Sequence, residues 1–260
     1  MKKKGQMTLF IILGIVLIIL IGLYFVGVKT NIIPPLLTPS DANSEMKEIE
    51  EHIEDCLEEV GMNYLYILGQ QGGYLNPGED TYKMFNDSMV SYLCWNQENS
   101  PTCTNRLITL DKMEEQLEDS IGKGLETCIN VYDYSNDVEV NEDWELDITI
   151  NYFNVDFNLD YPVSVVKGED DSASEDEFGY EADVALGEIY EVTQDIVNQH
   201  ASLGEFDQLL YMLSKLSRYT IYKNRPYPDV IYQVKLREKA YVFQFGIQGE
   251  ENVWFLEMFI

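Results

Sequence analysis

WELDITINYFNVDFNLDYPVSVV, residues 144–166, is the stretch at which the apolar period of the chain becomes two. Trp144, Leu146, Ile148 and Ile150 alternate with polar residues. After a change of phase, Phe153, Val155, Phe157, Leu159, Tyr161, Val163 and Val165 resume the alternation. Successive side chains on a strand point to opposite faces, so this is the pattern of strands with one face buried. A single strand of that length would run about 75 Å at about 3.3 Å per residue, more than a compact domain accommodates. A turn is therefore expected at residues 151–154, giving a hairpin with one polar face. Asp147, Asp156 and Asp160 fall on that face, where they are solvated or serve as cation ligands.

Helical periods flank the hairpin on the N-terminal side. Met46, Ile49, Ile53, Leu57, Val60, Tyr64 and Leu68 recur at steps of three and four, with Glu and Asp on the other faces. Gly72 and Gly73 follow where a left-handed C-terminal cap is needed. A second helix is predicted from Asp111, with Glu114 completing a capping box and an apolar stripe of Leu110, Met113, Leu117, Ile121, Leu125 and Cys128. Between the two, residues 74–110 read as turns with short helical pieces. They contain Asn86-Asp87-Ser88, a sequon that makes Asn86 a glycosylation candidate in an exported domain.

On the C-terminal side lies an acidic stretch, residues 168–181, read as a solvated loop. Asp170, Asp171, Glu175 and Asp176 are its candidate ligands for divalent cations, although the glycine an EF-hand needs at its sixth position is missing. A second helix pair follows, with Ala185, Ile189, Val192 and Ile196 on one face, then Phe206, Leu209, Leu210, Leu213 and Leu216 beyond Gly204. Val230 to Leu236 and Tyr241 to Ile247 then alternate about the polar turn Arg237-Glu238-Lys239, the clearest hairpin signal in the chain. Val253 to Ile260 reads as a last strand packed on that sheet, or as an interaction segment. The fold class is thus α+β: two helix pairs and antiparallel β-hairpins.

Four cysteines, Cys56, Cys94, Cys103 and Cys128, allow three pairings. Cys56 and Cys128 sit on the inward faces of two helices expected to pack together, which favours Cys56–Cys128. Cys94–Cys103 would then close the polar loop between them. A zinc site is the competing reading, but its ligand pairs usually stand two to four residues apart.

Residues 1–28 set the compartment. Lys2, Lys3 and Lys4 precede an uncharged apolar run, residues 7–28, which is long enough to cross about 30 Å of hydrocarbon as a helix. A cleavable signal would have a shorter apolar region and a small-residue cleavage site. Basic residues stay on the cytoplasmic side. The expected organisation is a cytoplasmic segment 1–6, a single transmembrane helix 7–28 contacting the lipid bilayer, a Pro-containing linker 29–43, and an extracytoplasmic domain 44–260.

Lys3-Lys4-Gly5-Gln6-Met7-Thr8 followed by the apolar run resembles the class III signal sequence of archaeal type IV pilins and related surface proteins. That resemblance covers about the first 25 residues, to where the apolar run ends. It implies cleavage between Gly5 and Gln6 on the cytoplasmic side, leaving the apolar segment on the mature protein. Many of these pilins carry a glutamate that packs subunits into a filament; this chain has Phe10 there, which counts against polymerisation. Beyond the span the chain also resembles uncharacterised archaeal surface proteins, from which no activity carries over.

The net charge is −29, and with three lysines and no acid in residues 1–28 the remainder carries −32. So anionic a surface repels phosphates, which excludes nucleic acid as a partner. His52 and His200 are the only histidines. Neither is accompanied by a nucleophile or metal-ligand motif, and both read as structural or surface residues. His200, at a helix end, is placed for an imidazole to meet the dipole. No cofactor and no catalytic residue is indicated. The reading is a membrane-anchored cell-surface protein, a binding or structural component of the envelope that contacts other envelope proteins. A pilin-like filament subunit is the alternative, and an extracytoplasmic enzyme the more distant one.

Overall fold

The computed structural model describes residues 41–96, 102–141 and 143–249. The span 7–28, the Gly5–Gln6 step, most of the linker and the run Val253 to Ile260 lie outside the described residues. No helix among the described residues is long and apolar enough to cross a membrane.

The described chain is α+β. Helix α1, Ala42–Gln70, is the longest element at 29 residues. Its buried face is Met46, Ile49, Ile53, Cys56, Leu57, Leu65 and Leu68, the period-3.6 stripe read from the sequence. It begins two residues inside the expected linker, where the Ala42 N–H donates to Asp171 Oδ1 at 3.0 Å. It ends as Gly73 N–H reaches back to Leu68 O at 2.9 Å. Gly72 and Gly73 both have positive φ, 73° and 89°, which a residue with a Cβ adopts only at a cost.

Two sheets pack along α1 and share one hydrophobic core. The sheet against its N-terminal half contains β4 (Val138–Val140), β5 (Glu145–Ile150), β6 (Val155–Val166) and β7 (Ser172–Ala182). All pairings are antiparallel, with β6 central, β7 on one side, and β4 and β5 sharing the other. The β5–β6 turn falls at residues 151–154 as expected. Phe153 is left exposed in that turn, and inward alternation resumes with Val155, Phe157 and Leu159.

The second sheet runs β1 (Tyr82–Phe85), β2 (Ser88–Trp95), β10 (Phe243–Ile247), β9 (Val230–Leu236) and β8 (Tyr219–Asn224), with the short β3 (Thr104–Asn105) paired to β2. It is mixed, because β2 and β10 are parallel. Three of its strands correct the expectation of turns and helical pieces in residues 74–110. The signal was obscured because β2 is buried on both faces from Val90 to Cys94 and so shows no alternation. The β9–β10 hairpin matches its expectation.

Helix α2, Leu110–Cys128, lies beside α1. No capping box forms: the N-cap is Thr109, without a side-chain bond. Glu114 instead accepts from Ile150 N at 2.7 Å and Glu118 from Ile148 N at 3.2 Å. Strand β5 is an edge strand, and these two carboxylates cover N–H groups that an open edge would expose. The second helix pair is α3, Leu186–Leu203, and α4, Gln208–Ser214. Gly204 caps α3 at φ 80°, and Asp207 caps α4 by accepting from Leu210 N at 2.9 Å.

The acidic stretch 168–181 is mostly strand rather than loop. Only residues 168–171 turn; β7 then pairs with β6 along its length. Phe178 and Ala182 are buried and Ala173 and Tyr180 half-buried, against α1. Those four inward positions were masked by the run of carboxylates between them.

Candidate functional site

Two sulfur bridges staple the domain. Cys56–Cys128 joins α1 to α2 with α-carbons 5.9 Å apart, and Cys94–Cys103 closes the loop after β2 at 5.3 Å. Both pairings are those expected from the sequence. His52 stands beside the first of them, with Nε2 at 3.9 Å from Cys56 Sγ, accepting the Asn130 N–H at 3.4 Å. Its ring lies 4.8 Å from that of Tyr134, so His52 fastens the chain after α2 to α1.

His200 is buried between α3 and β9, with Nε2 2.9 Å from the Tyr232 hydroxyl. Burial, and secondarily the Lys223 ammonium, push its pKa down to about 4. The imidazole is therefore neutral near pH 7, and the charge–dipole role expected of it is not the one it plays. A buried carboxylate, Glu188, accepts from Tyr219 Oη and from an Arg218 guanidinium nitrogen, each at 2.7 Å. These contacts satisfy a charge that could not otherwise be buried.

The solvent face of the β4–β7 sheet is a field of carboxylates. Register places Glu145 opposite Asp160, and Asp160 opposite Glu177, so three acids form one row across three strands. Asp147, Asn158 and Gly179 form the adjacent row. Together they line a shallow groove of about 510 Å³. Asp156, two positions further along, is held by the side-chain amides of Asn151 at 2.8 Å and Asn154 at 3.1 Å. Like charges directly opposite one another repel, so the groove favours cationic groups over anionic ones.

Of the cation candidates read from the sequence, Asp147 and Asp160 line this groove, whereas those of the acidic stretch 168–181 do not join it. Asp171 caps α1, Glu175 pairs in register with Val163, and Asp176 borders a separate depression with Glu139 and Ser174. Among the described residues no three His, Cys, Asp or Glu side chains converge as a metal site requires. Asn86 sits at the apex of the β1–β2 hairpin, exposed, with φ 48° there and 63° at Asp87. It is accessible to a modifying enzyme.

One surface escaped the sequence reading. Leu209, Leu210, Leu213 and Leu216 were expected to face inward with Phe206, but only Phe206 is buried. Leu213 is 60% exposed and Leu216 92%. Helix α4 has no buried residue and turns Tyr211 and Met212 toward the sheet instead. A helix with apolar side chains on two faces gives no sequence signal for which one the core will take; the half-polar alternative, Tyr211 bonded to Asp195 at 2.7 Å, was the winning one.

No family model matches this chain, and no curated protein or solved structure matches it. The functional reading consequently rests on the chain's own residues.

Proposed function

We propose that this chain is a membrane-anchored cell-surface protein whose extracytoplasmic domain binds or scaffolds other components of the envelope. The observation that carries the reading is the pair of disulfides, Cys56–Cys128 and Cys94–Cys103, which leaves no free cysteine among the described residues. Such bridges persist in oxidising compartments and are rare in the cytosol. The apolar span 7–28 behind three lysines supplies the anchor, with processing after Gly5 as the resemblance implies. The acidic row Glu145–Asp160–Glu177 supplies a face suited to cationic partners.

The test is topological. On intact cells, a membrane-impermeant amine reagent is expected to label lysines of the domain, such as exposed Lys112 and Lys123. Mass spectrometry of the mature chain is expected to find Gln6 at its N-terminus. A domain that labels only after lysis would overturn the proposal, and a chain that starts at Met1 would remove the processing step alone.

A further inference from the structure

Deepening the binding role proposed above, and resting on it for the choice of partner, we propose that the open edge of β7 takes up an extended, lysine- or arginine-rich segment of another envelope protein as an added strand. Among the described residues β7, Ser172–Ala182, pairs with β6 alone. Backbone bonds alternate in direction along an antiparallel pair. The Asn151 N–H donates to Asn154 O at 3.0 Å, which sets the alternation on β6, and the register carries it to β7. Phe178, Tyr180 and Ala182 therefore turn their peptide groups to β6, whereas Glu177, Gly179 and Glu181 turn theirs outward. All three outward residues are exposed. On β5 the outward N–H groups of Ile148 and Ile150 are closed off by Glu118 and Glu114. At β7 the outward row stands as a template for another chain.

What the template accepts follows from its side chains. Glu145, Asp147, Asp160 and Glu177 line the groove beside it, and no Lys or Arg lines it with them. Glu181 continues the acidic edge beyond Gly179, and on the other face the Tyr180 hydroxyl bonds to Glu58 of α1. A second copy is a poor occupant, because β7 laid against β7 sets carboxylate beside carboxylate. Gly179 marks the seat. Its φ is not positive, and a Cβ there would meet nothing nearer than Phe157 O at 3.6 Å, an ordinary contact. Neither conformation nor packing within the chain calls for glycine at this position. A glycine inside a strand weakens it, and leaves room for another backbone or ligand to approach closely. A lysine or arginine opposite Gly179 extends over the missing side chain. Its diagonal neighbours are Glu177 and Glu181, about 7–8 Å away and within reach of a long side chain.

The experiment adds peptides to the full chain in nanodiscs of zwitterionic lipid. The probe is a peptide alternating lysine with threonine, and its control is the same peptide N-methylated along the backbone, which keeps the charge and removes the ladder. Saturating probe is expected to slow hydrogen exchange at the Gly179 and Glu181 amides about tenfold, and the control to leave them unchanged. In the double variant Glu177→Gln with Glu181→Gln, both at exposed positions, the probe is expected to bind about tenfold more weakly. An unchanged near-ultraviolet circular dichroism spectrum checks that the core is intact. Equal binding of probe and control would reduce the site to adsorption by charge and overturn the proposal. So would bound probe that leaves those two amides unprotected, or no binding at all. A chain that fails here while its domain labels on intact cells keeps the envelope role and loses this edge as its binding site.

Discussion

His200 Nε2 and the Tyr232 hydroxyl stand 2.9 Å apart inside the core, with the Lys223 ammonium 5.5 Å from the tyrosine ring. Burial and then Lys223 hold the imidazole down to about 4 from 6.5. An unfolded chain therefore takes up a proton near pH 6.5 that the folded chain refuses until about pH 4. Stability is full above pH 6.5 and falls with pH through that window, because the unfolded state binds more protons there. At about 1.4 kcal/mol per unit of pKa the loss is at most about 3 kcal/mol. Chemical denaturation at pH 7 and pH 4 is expected to show it as a difference between the native chain and His200→Gln. Parallel pH profiles for the two would contradict the assignment.

The disulfides are expected to contribute unequally. Cys56–Cys128 spans 72 residues and Cys94–Cys103 spans nine. Constraint of the unfolded chain grows with the logarithm of loop length, giving about 4 kcal/mol for the first and about 3 for the second. Replacing each pair by serines and measuring denaturant midpoints is expected to preserve that order. Equal losses would show that the loop closed by Cys94–Cys103 does more than limit entropy.

Much of this architecture was legible because burial was one-sided. Helix α1 and the β5–β6 hairpin each have one face in the core, so periods of 3.6 or two survive in the sequence; β10 is buried on both faces, and its alternation stays visible because the positions between its large apolar residues are Gln244 and Gly246. Both sulfur pairings followed from the same periodicity, since Cys56 and Cys128 belong to the apolar stripes. Strand β2 lost its signal by burial on both faces, and β7 by carrying Glu175, Asp176 and Glu177 in succession on its exposed part. The carboxylate row is a register effect: Glu145, Asp160 and Glu177 are distant in sequence, and only the pairing of three strands aligns them. The leucine face of α4 is the opposite case, visible as a pattern but assigned the wrong side.

Gly187, in the first turn of α3, marks a contact at which size is decisive. Its N–H donates to Asn151 O at 3.3 Å. A Cβ built there would lie 2.6 Å from that oxygen and 2.9 Å from Tyr152 Cα, both backbone atoms of the β5–β6 turn. Helix propensity alone favours alanine over glycine by about 1 kcal/mol, but overpacking of this kind costs about 1–3 kcal/mol. Gly187→Ala is therefore expected to lower the thermal midpoint. A raised midpoint would mean that the turn and α3 separate more readily than their hydrogen bonds imply.

Asp160 lies between Glu145 and Glu177 with no opposite charge across either pair. Each directly opposed like-charge pair costs about 0.2–1 kcal/mol, so Asp160→Thr is expected to stabilise the domain by about 0.5–2 kcal/mol at low salt. Threonine also suits an exposed strand position. The gain should shrink as ionic strength rises, since a Debye length of about 3 Å at 1 M leaves little repulsion to relieve. Denaturation of both chains across a salt series checks this. A gain that persists unchanged at 1 M would come from strand propensity alone, and the row would then store no electrostatic cost for a cationic partner to release.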